Sequence, residues 1–84
     1  MRIALICIDK PDALQTRLDN RAAHLAHIEN TGVVEMAGPF LDQNGTMIGS
    51  LVILNVADMA AAIDWADADP YAKVGLFASV DLRE

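Results

Sequence analysis

The sequence predicts one α+β domain in which a four-stranded antiparallel sheet carries two helices on one face. Three observations predict it. Hydrophobic periodicity alternates between strand-like and helical in the order strand, helix, strand, strand, helix, strand. Turn-forming clusters of Gly, Pro, Asp and Asn separate the segments. A length of 84 residues fits one small core, residues 1–84, with no second domain.

The elements follow in order. Residues 2–8 are aliphatic without polar alternation, as expected of a central strand covered on both faces. Asp9-Lys10-Pro11-Asp12 ends it. From Asp12 to Thr31 the period is helical, with Leu14, Leu18, Ala22, Leu25 and Ile28 forming an apolar stripe, and Gly32 supplies a left-handed stop. Val33–Phe40 and Met47–Val56 read as strands joined by the turn signal Asp42-Gln43-Asn44-Gly45. Asp58 is the expected N-cap of a helix with Met59, Ala62, Ile63 and Ala66 at helical spacing, ending near Ala68 ahead of Pro70. Val74 to Leu82 alternates as a last strand. This is the βαββαβ order of ferredoxin-like domains. It leaves one sheet face bare, and strands apolar on both sides call for a second sheet there, most simply from a second copy.

Composition excludes several function classes. Six Lys and Arg against twelve Asp and Glu, a net charge of −6, argue against tracking a nucleic-acid backbone. The local cations Arg17, Arg21, His24 and Lys10 suit one small organic anion. Cys7, the only cysteine, reads as a small buried hydrophobe. The N-terminal run lacks a signal-peptide cleavage site, and no run reaches the roughly 18 apolar residues that span a bilayer, so the cytoplasm is the default expectation and no membrane contact is expected.

The chemistry-bearing residues are few. An imidazole is matched to proton transfer near neutral pH, and His24 lies on the flank of the first helix's apolar stripe beside Arg17 and Arg21. Spacing alone leaves two readings, a functional imidazole or a boundary residue bonded to backbone or water. His27 points away and reads as solvated. Asp69 either initiates a turn before Pro70 or orients the imidazole. With a helix starting at Asp12, His24 lies roughly 18 Å down the axis, which stands against a direct contact with Asp69 near the start of that helix. A later helix start near Arg17, or a carboxylate from a partner subunit, would remove the conflict. Ser50 sits beside Gly49 in a strand of Met, Ile, Leu and Val, either as a ligand-binding hydroxyl or a satisfied core one. Trp65 and Tyr71 read as packing residues. His24 and His27 project about 60° apart, so no metal site is expected.

Asp9-Lys10-Pro11, Arg21-x-x-His24-Leu25, Gly38-Pro39, Gly49-Ser50, Ala66-x-x-Asp69-Pro70-Tyr71 and Gly75-Leu76-Phe77 run in order across almost the whole chain. Together they resemble the YciI-like family, small bacterial proteins of the dimeric α+β barrel group. The resemblance implies a sheet-to-sheet homodimer and a pocket centred on a histidine and an aspartate. Carried onto this chain, these are His24 and Asp69 as the catalytic pair, with Asp9 as the reserve carboxylate, and Arg21, Ser50, Asp9 and Tyr71 about the substrate. It implies a cofactor-independent, metal-free lyase or isomerase acting on a small anionic or enolic metabolite, as relatives that act on chlorinated hydroxyquinols do. The competing expectation is a non-catalytic ligand-binding or accessory protein on the same scaffold.

Overall fold

The computed structural model describes all residues from Met1 to Glu84. Strands β1 (Arg2–Asp9), β2 (Val34–Leu41), β3 (Met47–Asn55) and β4 (Phe77–Arg83) form one antiparallel sheet in the order β2-β3-β1-β4. Helix α1 (Leu14–Thr31) follows β1, while α2 (Met59–Ala68) and the single turn α3 (Pro70–Lys73) lie between β3 and β4. The expected α+β ferredoxin-like βαββαβ fold is therefore present, with its helices on one sheet face.

Local sequence explains the boundaries. Asp12 adopts a left-handed conformation at φ 57°, so the chain turns there and α1 starts at Leu14 rather than at Asp12. Gly32, at φ 67°, stops the helix as its missing side chain allows. Asp42 Oδ1 accepts from the backbone N–H groups of Asn44 and Thr46, closing the β2–β3 turn. Asp58 caps α2 by accepting from Ala61 N–H at 2.8 Å. The last strand begins three residues later than the alternation of Val74, Leu76 and Ala78 implies, because Pro70 starts another helical turn.

The core lies between sheet and helices: Ile3, Leu5 and Cys7 from β1, Val52 and Leu54 from β3, Ala62 and Trp65 from α2. Helix α1 departs from the sequence reading. Leu14, Leu18 and Leu25 of its apolar stripe are exposed, and its two buried residues are Arg17 and His24, roughly 80° around the axis from Leu14 in the case of His24. His27 is also not a free surface group. Its Nε2–H donates to the Trp65 carbonyl at 3.1 Å and its ring lies 4.5 Å from the Trp65 ring, while Trp65 Nε1–H donates to Thr31 Oγ1. These contacts tie the end of α1 to α2.

The opposite sheet face carries no helix. Register places Ala4, Ile6 and Ile8 of β1 beside Leu51 and Ile53 of β3, with Met36 of β2 next to Ile53. These side chains are half-buried or exposed. No helix of the chain is long and apolar enough to cross a membrane.

Gly49 shows why β1 and β3 pack as they do. A Cβ at this position would stand 2.3 Å from the Cys7 carbonyl oxygen, part of the backbone, so the strands must separate to admit one. Gly49→Ala is expected to lower stability by about 1–3 kcal/mol in urea unfolding, whereas Gly38→Ala, which meets nothing within 4 Å, should leave the midpoint unchanged.

Candidate functional site

The site begins with the lengths of two antiparallel helices. Helix α1 runs back toward the sheet end where α2 starts, and α2 is only ten residues, about 15 Å, long. Asp69 therefore stops midway along α1 instead of reaching its start. His24 lies seven residues before the end of α1, about 10 Å from it, at nearly the same level. The distance that opposed a contact came from placing Asp69 at the start of α1 when it lies about midway along that helix. A later start of α1 is not the explanation, since α1 begins at Leu14.

His24 Nδ1 and Asp69 Oδ1 are 2.8 Å apart within one chain, and both residues are buried, at 6% and 3% exposure. A carboxylate only accepts, so Nδ1 carries the proton and the neutral imidazole keeps its lone pair on Nε2. That nitrogen has no protein partner, and no fully enclosed side-chain N or O lacks one, so Nε2 is open to the cleft that His24 lines. Asp69 is held in turn by the chain's own geometry. It is the last cap of α2 and the N-cap of α3, where the same Oδ1 accepts from Tyr71 N–H at 3.0 Å. One Asp69 oxygen thus both caps the turn and hydrogen-bonds the imidazole.

Asp9 does not face the imidazole. It receives a two-pronged hydrogen bond from Arg17, whose Nε and Nη2 lie 2.8 and 2.9 Å from its carboxylate oxygens. Arg17 Nη2 also donates to Ser50 Oγ at 2.9 Å. This leaves the Ser50 hydroxyl hydrogen available as a donor at the cleft wall. Burial disfavours the Arg17 charge, yet the Asp9 hydrogen bond and carboxylate charge hold its pKa above the ordinary value. Arg17 was visible in the sequence only as a member of a cationic cluster. The overlooked signal is its spacing of seven from His24, which puts both on one helix face within about 20°.

Tyr71 belongs to the site as well as to the packing. Its ring stacks on His24 at 4.0 Å between centroids and 12° between planes, and the Arg17 guanidinium carbon lies 4.7 Å from its centroid. Burial pushes its phenol pKa up, against the opposing pull of Arg17 and Arg21, so the ring stays neutral. Arg21 is exposed on the cleft rim and makes no ion pair. The cleft, about 130 Å³, is bounded by Arg17, Arg21, His24, Ser50 and Tyr71 on its polar side. Leu25 and Ile28 of α1 face Ala37 and Pro39 of β2 on the other. The stripe on α1 thus contributes a wall of the cleft. No group of three or more His, Cys, Asp or Glu side chains is placed to hold a metal.

The chain has recognisable relatives in sequence and in fold. Residues 1–84 match the family described as the YCII-related domain. Protein YciI of Escherichia coli is 38% identical over 89% of this chain and 86% of its own length. An uncharacterized protein of Haemophilus influenzae is 33% identical over 99% and 94%. Among solved structures, 5-chloro-2-hydroxyhydroquinone dehydrochlorinase from Burkholderia phenoliruptrix, in complex with 2,5-dihydroxybenzoquinone, superimposes with a TM-score of 0.91 at 31% identity, covering 100% of this chain and 92% of that one. An antibiotic biosynthesis monooxygenase shares the fold, with a TM-score of 0.58 at 14% identity over 99% of this chain and 95% of that one.

Two outcomes follow from the buried charges. Asp9→Asn removes the counter-charge of a buried guanidinium and should cost about 3–5 kcal/mol in urea unfolding. Burial also pushes the Cys7 thiol from 9.0 up to about 12, with the Asp69 charge acting in the same direction. The folded chain therefore keeps a proton that the unfolded chain releases, so this stabilisation is intact below pH 9 and is lost as pH rises toward about 12. The urea midpoint should fall between about pH 8 and pH 10.5, and fall less in Cys7→Ala, when followed by circular dichroism.

Proposed function

This chain belongs to the YCII-related family, and we propose that it is an acid–base enzyme of lyase or isomerase type, with His24 Nε2 as the proton-transfer group. The observation that carries the reading is the buried His24–Asp69 pair, which fixes the tautomer and presents a basic nitrogen to a cleft. The dehydrochlorinase neighbour supports the reaction class, since its reaction is itself an elimination.

The chemistry follows from the groups around the cleft. Nε2 takes a proton from an acidic O–H, or from a carbon beside a carbonyl, and the electron pair moves onto the ligand's oxygen as an enolate. Asp69 stabilises the imidazolium so formed, and Arg21, the uncommitted cation at the rim, holds the developing negative oxygen. The enolate then either takes the proton back at another carbon or expels a leaving group with its bonding pair. In this reading the Ser50 hydroxyl and the Tyr71 phenol, both on residues that line the cleft, donate to the same ligand. A cavity of about 150 Å³ holds one benzene ring, so a cleft of 130 Å³ suits one planar ring or a chain of similar size.

The same reading includes a homodimer formed through the bare sheet face, supported by the apolar strip of Ala4, Ile6, Ile8, Leu51 and Ile53. Sedimentation should give twice the 9.0 kDa chain mass, and Ile6→Asp should give the monomer.

Turnover is tested with single-ring enols, halogenated and not, by chloride release and by deuterium uptake from heavy water. His24→Gln should lower either rate by about 10²- to 10⁴-fold with KM little changed, and Arg21→Ala should raise KM. Binding without turnover, or turnover indifferent to His24→Gln, would overturn the assignment in favour of a ligand-binding protein.

A further inference from the structure

We propose that Arg17 is a positioning residue that acts through the Tyr71 ring to hold the His24 imidazole in its working orientation. This deepens the reading of the His24 site but is tested without turnover, so the two can fail separately.

Arg17 is not free to serve a ligand directly. Arg17 is 3% exposed, and its guanidinium already donates three hydrogen bonds, two to Asp9 and one to Ser50. Its charge is matched by Asp9, which leaves it poorly suited to receive a ligand anion. Arg21, exposed and unpaired, is the group suited to that task. Arg17 is instead anchored to the end of β1 through Asp9 and to β3 through Ser50, which makes it a rigid point under α1.

The one contact left to explain is with Tyr71. Its ring touches Arg17 and stacks nearly parallel on His24, and its backbone N–H donates to Asp69 Oδ1. Tyr71 therefore contacts both members of the pair, the imidazole by its ring and the carboxylate by its main chain. Arg17 and His24 are two helical turns apart, about 10 Å, and the ring links them. A ring held in place by a fixed guanidinium limits rotation of the imidazole about its side-chain bonds, and that rotation would carry Nε2 off the cleft and Nδ1 off Asp69. Lysine at position 17 would keep the charge but lose the planar fork and the stacking surface.

The probe is the imidazole itself, read by nitrogen-15 NMR of the full chain across pH. The charged or titratable groups near it are Arg17, Arg21, Asp69 and Tyr71, with Cys7 and Asp9 beyond them. In the native protein His24 is expected in the Nδ1–H form. Arg17→Lys should populate the second tautomer and shift both His24 ring-nitrogen signals, with His27 unaffected. Arg21→Lys should change neither signal. Tyr71→Leu should reproduce the Arg17→Lys effect, and Arg17→Lys added to Tyr71→Leu should do nothing more.

A folded Arg17→Lys protein with the native His24 tautomer would overturn the proposal, as would an effect of equal size in the Tyr71→Leu background. If Arg17→Lys fails to fold, Ser50→Ala removes one of the three anchors without changing charge. It should move the His24 signals in the same direction by less, and unchanged signals would then overturn the proposal.

Discussion

Two carboxylates under helix α1 dictate how that helix sits. Asp9 holds Arg17 and Asp69 holds His24, so the face of α1 that turns inward is the one carrying these two partners rather than the one carrying leucines. Burying a charge without a counter-charge costs far more than leaving a leucine half wet, and that inequality decides the rotation of the helix. Once α1 is rotated, Leu25 and Ile28 become a wall opposite β2, and a cleft remains between helix and sheet edge. The polar pairs thus set the shape of the cleft as well as the seat of the helix.

The backbone elements were legible because their signals are local. Asp58, Gly32 and the Asp42–Gly45 turn act on neighbours within four residues, and the structure places each in the role its type implies. The rotation of α1 was hidden because hydrophobic periodicity finds the most apolar face, while paired ions select another. The His24–Asp69 contact is hidden because it depends on the length of α2 relative to α1, which no single motif states. His27 looked solvated because its acceptor is a main-chain carbonyl of Trp65, which no side-chain pattern announces. Tyr71 was read as packing, and it does pack, but against an imidazole.

The Asp-Pro-Tyr segment joins backbone structure to site chemistry more closely than the other motifs. Pro70 suits the first position of a helix, Asp69 caps that start, and the capping oxygen is also the one that accepts from the imidazole Nδ1–H. Substituting this carboxylate removes a helix cap and a histidine partner together. Gly49 has a quieter part of the same kind. It lets β1 and β3 approach, and the two strands bring Asp9 and Ser50 within reach of one guanidinium.

The contacts that build the cleft join residues far apart in sequence, Arg17 to Ser50 across 33 positions and His24 to Asp69 across 45. Contacts of such long range form only after the intervening loops have closed, so neither half of the chain can assemble the site alone. A local opening that lifts α3 from α1 disconnects the imidazole from its carboxylate while the sheet stays intact, which makes amide exchange at Tyr71 a gauge of how often the site comes apart.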